Sequence, residues 1–171
     1  MFRKLAVLLL GIAAPLAASA DDSLAKFKGG IGVIPVSAGA GTAATAEVVN
    51  RNIARGVLPP GQPWVISDLS AEVKTDGSIR VRGRGLLLAG GNGVGGNGGQ
   101  SVFATLICEA AAPFVEHSTA PAGVPLGPDG DFRIDDVLDP LPPIPCASPA
   151  LFIRSTANRG WFAAGIPDLS D

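Results

Sequence analysis

An all-β fold, an antiparallel β-sandwich of about 7–9 short strands, is the class this sequence predicts. Three observations carry it. Turn signals rich in Gly, Pro, Asn and Asp recur every 8–12 residues or so, and hardly a stretch keeps a helical period. Apolar and polar residues alternate from Trp64 to Arg84, the period of a strand buried on one face. The only two cysteines, Cys108 and Cys146, suit a single disulfide clamp in an exported chain. Greek-key order is one way such strands could be wired.

The N-terminus sets the compartment expected. Met1 to Ala20 has a basic start (Arg3, Lys4), an apolar run from Leu5 to Ala14, and Ala18-Ser19-Ala20 as a small-residue cleavage site, the pattern of a signal peptide. That run is shorter than the roughly 18 to 20 residues a bilayer span needs, and no later run is longer, so no transmembrane segment is expected after cleavage. Asp21 to Asp171 is then a single domain, expected to be partly flexible over 21–45. A secreted location, extracellular or periplasmic, follows. Pairing Cys108 with Cys146 would restrict the unfolded chain by roughly 3.5 to 4 kcal/mol, a large share of an ordinary stability.

Charge argues against nucleic acid. Without Arg3 and Lys4, 11 of the 13 basic residues face 15 acidic ones, a net charge of −4. Phosphate backbones would be repelled unless the charge were unevenly placed.

Taken in order, Asp21 to Lys28 is polar and expected to fray. Ile31 to Val36 contains Pro35 and reads as an edge strand at best. Asn52 to Val57 reads as a weak strand, stopped by Leu58-Pro59-Pro60-Gly61-Gln62-Pro63. Val65, Ser67, Leu69, Ala71 and Val73 then alternate with Ile66, Asp68, Ser70, Glu72 and Lys74 up to the turn at Asp76-Gly77. A two-residue loop would set Val73 against Arg80. A three-residue loop (Thr75, Asp76, Gly77) sets Val73 opposite Ile79 and Ala71 opposite Val81, with Glu72 opposite Arg80 and Asp68 opposite Arg84. Arg80, Arg82 and Arg84 thus form a candidate charged face, either paired across strands or open to a polyanion.

Beyond Arg84 lies the glycine-dense loop Gly90-Gly91-Asn92-Gly93-Val94-Gly95-Gly96-Asn97-Gly98-Gly99. It lacks the Gly-Lys-Ser/Thr ending of a phosphate loop and the aspartate of a calcium-binding nonapeptide repeat. It reads as a flexible surface connector, with a role as binding loop the sharper alternative. The arginine strand and Ser101 to Cys108 are expected to be sheet neighbours on either side of it.

Phe114 to Thr119 and Val124 to Leu126 follow as short strands. Gly127-Pro128-Asp129-Gly130 is a turn, and Phe132, Ile134 and Val137 line the apolar side of a strand whose wet side carries Asp131, Arg133 and Asp135. Asp139 to Pro145 is an extended connector, and Leu151 to Ser155 with Trp161 to Ile166 make a last hairpin.

Chemistry has few handholds. His117 is the single histidine, without a Gly-x-Ser-x-Gly elbow, and reads as an ordinary strand residue. Asp129, Asp131 and Asp135 resemble calcium ligands, but Arg133 stands where the third oxygen belongs. The expectation is therefore a secreted or periplasmic protein without catalytic activity or cofactor, which binds an unknown protein or envelope ligand or serves the envelope structurally. A secreted hydrolase built on His117 or paired carboxylates, and a calcium-stabilised adhesion-type module, are the alternatives. Over most of its mature length the chain resembles small exported bacterial proteins, a resemblance that carries over no active residue.

Overall fold

The computed structural model describes residues 22–38 and 49–169. The expected signal peptide, Met1 to Ala20, lies outside them. The strands are β1 (Ser23–Gly32), β2 (Val36–Ala38), β3 (Val49–Arg51), β4 (Trp64–Val65), β5 (Asp68–Lys74), β6 (Ser78–Arg84) and β7 (Leu87–Leu88). They continue with β8 (Ser101–Ile107), β9 (His117–Ser118), β10 (Val124–Pro125), β11 (Phe132–Val137), β12 (Ala150–Ser155) and β13 (Trp161–Pro167). No helix occurs among the described residues, so none there is long and apolar enough to cross a membrane.

The fold is all-β and antiparallel. Nine strands form one sheet in the order β10-β8-β12-β13-β1-β5-β6-β11, with β9 also on β8. Two short pairs, β2 with β3 and β4 with β7, stand apart from it. The layers of the expected sandwich are opposing walls of this single sheet, which curls almost into a barrel. Its seam is nearly shut: β9 pairs with β8 on one side, and on the other Ser118 and Asp139, just past β11, exchange backbone bonds of 3.0 and 2.9 Å. Leu69, Val73, Ile79, Val81, Leu106, Leu151 and Ile153 are fully buried. A barrel of about this strand number has an interior just wide enough for such side chains.

The β5–β6 hairpin has the expected register at every position named: Val73 opposite Ile79, Ala71 opposite Val81, Glu72 opposite Arg80 and Asp68 opposite Arg84. Gly77 supplies the left-handed residue, at φ +82°. Cys108 and Cys146 form a disulfide, 3% and 9% exposed, which is compatible with an oxidising compartment. Arg55 fixes the chain beside it, donating to the carbonyls of Ile107, Glu109 and Ser148.

Four expectations are corrected. Ser23 to Lys28 is not frayed but belongs to β1, in the middle of the sheet between β13 and β5, because Ala25 and Phe27 alternate inward against Lys26 and Lys28. Ile31 and Gly32 continue that strand rather than forming an edge. The arginine strand β6 and Ser101–Ile107 (β8) are not neighbours, since β11 occupies the second edge of β6. There Ile134 and Phe132 extend the inner rows of Val81 and Gly83. After β6, Leu86 is buried and its N–H donates to the Gly130 carbonyl at 3.0 Å, turning the chain across the barrel end. Finally, Val137 is exposed, because alternation along β11 turns Asp136 to the side of Ile134.

The walls differ outside. Every residue from Val102 to Ile107 and from Leu151 to Ser155 is buried, so β8 and β12 are covered on both faces, which is why these runs lack alternation. The cover includes the segment Asn52 to Pro60. There Trp161 Nε1 donates to the Asn52 carbonyl, Trp161 N–H to that of Leu58, and Val57 is 1% exposed.

Candidate functional site

The opposite wall, made by β1, β5, β6 and β11, is bare outside. Its outward residues line up in rows because antiparallel register puts partners side by side. One row reads Lys26, Glu72, Arg80, Asp135, opposite charges alternating across four strands. The next reads Lys28, Ser70, Arg82, Arg133, three cations and no anion. Arg84 follows on β6, opposite Asp68.

The ion pairs follow the rows only in part. Arg80 reaches Asp135 (Nε to Oδ2, 3.4 Å) rather than Glu72, whose Oε1 accepts instead from Ser23 Oγ at 3.1 Å. Arg133 lies 3.7 Å from the same Asp135 oxygen. These groups are more than half exposed, so each pair contributes about 0.2–1 kcal/mol. Lys28, Arg82 and Arg84 make no ion pair among the described residues. Like charges directly opposite, as in Arg82 and Arg133, destabilise a sheet by up to about 1 kcal/mol. Packing inside the wall therefore holds a register that its outer charges oppose.

Two open depressions share Arg82. One, of about 460 Å³, is lined by Lys26, Lys28, Ser70, Glu72, Arg80 and Asp168. The other, of about 370 Å³, is lined by Arg84, Arg133, Gly83, Phe132 and Asp131. The Asp131 carboxylate already accepts the Gly85 N–H at 3.0 Å.

The other sequence candidates lie apart from one another. Residues Gly90 to Gly99 fold back on β7 as a cap: Gly95 donates to the Leu88 carbonyl, Leu88 to that of Gly96, and Asn97 Nδ2 to those of Leu126 and Gly127. Beneath it Trp64 stacks on Phe162, ring centres 4.0 Å apart. His117 is buried, its Nδ1 2.7 Å from the Pro140 carbonyl and its Nε2 without a partner. The polar cavity beside β9 is lined by Glu116, Ser118, Asp136, Asp139 and Arg159 rather than by His117. Asp129 accepts the Asp131 N–H, and Asp135 is held among Arg80 and Arg133. No group of three His, Cys, Asp or Glu placed to hold a metal is found among the described residues.

The sequence marks Arg82 and Arg84 by their alternation on one strand but not the residues that join them. Lys28 was signalled by the alternation Ala25-Lys26-Phe27-Lys28, and Arg133 by its place on the wet side of β11. That all share one wall is a matter of long-range pairing. Comparison with protein families, curated proteins and solved structures finds no match.

Proposed function

We propose that this chain is a secreted or periplasmic binding module that acts without catalysis, and that the outer wall of β1, β5, β6 and β11 is its contact surface. One observation carries the reading. The interior is filled with side chains and the β8–β12 wall is covered on both faces, whereas this wall is bare and holds cations with no internal partner. Export is supported by the leader-like Met1 to Ala20 and by the buried disulfide. Binding rather than hydrolysis is supported by His117, whose ring is buried against a backbone carbonyl.

The test is a quantitative pull-down from the host's envelope fraction with three proteins: wild type, Ser70→Trp, and a variant with Gly90 to Gly99 shortened. Ser70 is exposed at the centre of the basic row, so an indole there blocks the wall without changing its charge. Capture should fall with Ser70→Trp and persist with the shortened loop. Unchanged capture by a folded Ser70→Trp variant removes the wall from the proposal, and loss with the shortened loop alone makes the cap the contact.

A further inference from the structure

We infer that Arg82 and Arg133, with Lys28 and Arg84 beside them, form a site for a tetrahedral oxyanion, the phosphate or sulfate group of a ligand. The inference rests on the wall being the contact surface and names what that surface takes.

The register comes first. Arg82 and Arg133 are direct partners on neighbouring strands, so their side chains leave the sheet about 5 Å apart. At that spacing two guanidinium forks can close on one group, each presenting paired N–H donors to a pair of oxygens. Arg84 stands two residues along β6 on the same outer face, and Lys28 lies in the same row beyond Ser70.

The charges around these side chains are not balanced. Lys28, Arg82 and Arg84 have no anionic partner among the described residues, and Arg133 has only Asp135, at 3.7 Å. The adjoining row alternates in sign. A bound oxyanion would attract both Arg82 and Arg133 and so offset the repulsion between them.

The surroundings fix the size of the ligand group. Glu72 and Asp135 flank the basic row on one side and Asp68 on the other, so a long polyanion running across the wall would meet carboxylates. A compact group in the depression of Arg82, Arg84 and Arg133 would meet only Asp131, one of whose carboxylate oxygens already accepts the Gly85 N–H. Trp64 and Trp161 are buried, at 4% and 6% exposure, so the wall offers no indole for stacking sugars or bases.

The experiment follows the side-chain Nε–H signals of the arginines by NMR during titration with inorganic phosphate. In parallel, sedimentation is measured with vesicles of phosphatidylcholine alone or with phosphatidic acid. Phosphate should shift Arg82 and Arg133 and leave Arg51 in place. Arg82→Ala/Arg133→Ala should weaken binding about tenfold or more. Arg82→Lys/Arg133→Lys, which keeps the charges but not the forks, should lose less than the alanine pair yet at least about threefold. The alanine variant should melt at or above wild type, since it removes an opposed like-charge pair. Sedimentation with the acidic vesicles alone assigns the group to a lipid headgroup. A phosphate response without it assigns a soluble ligand.

The inference is overturned if neither probe engages these arginines, if the alanine variant binds like wild type, or if acetate shifts them as strongly as phosphate. Failure here with Ser70→Trp still blocking capture leaves the wall as a surface for other chemistry. Failure of both removes the wall altogether.

Discussion

Gly83 and Phe132 are direct partners across β6 and β11, and a methyl group placed on Gly83 would sit 2.0 Å from one ring carbon of Phe132 and 2.3 Å from the next. The ring, 7% exposed, fills the notch that the missing side chain leaves. Gly83→Ala therefore forces the ring or a strand to move by more than an ångström, at the upper end of the about 1–3 kcal/mol that overpacking costs. The alanine recovers about 0.4–1 kcal/mol by stiffening the unfolded chain, so the net loss should be about 2 kcal/mol. Phe132→Ala should cost about 3–5 kcal/mol, for lost burial and the cavity left behind. With the ring gone the methyl has room, so Gly83→Ala should be neutral or slightly stabilising in the Phe132→Ala background. The expected coupling is thus about 2 kcal/mol, well outside the roughly 0.5 kcal/mol scatter of independent sites. Equilibrium urea unfolding of all four proteins measures it. If Gly83→Ala costs the same in both backgrounds, the notch does not lock β6 to β11. The rationale for why Arg82 is held opposite Arg133 then fails with it.

Other outcomes follow from the same structure. Replacing both Cys108 and Cys146 by serine should cost about 3.9 kcal/mol from the loop entropy of a 38-residue separation, and lower Tm by about 8–16 °C in calorimetry. A loss under about 1 kcal/mol would show that the reduced chain is already constrained. The hydroxyl and N–H of Ser78 both donate to Asp76 Oδ1, at 2.7 and 2.9 Å, and hold its carboxyl below the ordinary 3.8. A folded-state value below the unfolded one favours folding above the unfolded pKa, and that contribution disappears as pH falls through the folded value. Ser78→Ala should therefore raise the Asp76 midpoint in an NMR titration, and an unmoved midpoint would refute the assignment. Glu116→Ala strips the buried Arg154 of its 2.6 Å partner but leaves it Thr105, the Arg159 carbonyl and the Phe103 ring. Because Glu116 is 42% exposed, the cost by chemical denaturation should be about 1–2 kcal/mol rather than that of a fully buried pair.

Legibility followed the distance over which each feature is specified. The β5–β6 register could be read because strand alternation and the turn at Asp76-Gly77 fall within one short stretch, and only one loop length keeps Val73 and Ile79 on one face. The disulfide needed only two cysteines. By contrast, nothing near β6 says that Phe132–Val137 rather than Ser101–Ile107 takes its free edge, since both are apolar and β-branched enough to pair. Gly29 and Gly30 interrupt the alternation of β1 just where a bulge lets it continue, so a central strand read as a frayed end. The basic row was half visible for the same reason: Arg82 and Arg84 share a strand, whereas Lys28 and Arg133 arrive from two others.

The pairing of Gly30, Ile31 and Gly32 with Gly165, Ala164 and Ala163 carries a kinetic consequence. A ribosome makes β1 long before β13, so that strand spends most of synthesis with one flank open, and the cylinder can shut only when nearly all of the polypeptide exists. Such remote partners make for slow assembly. Under the export proposed above, that delay would be an advantage, because a chain that threads a translocation pore must stay pliable until its final strand has been made.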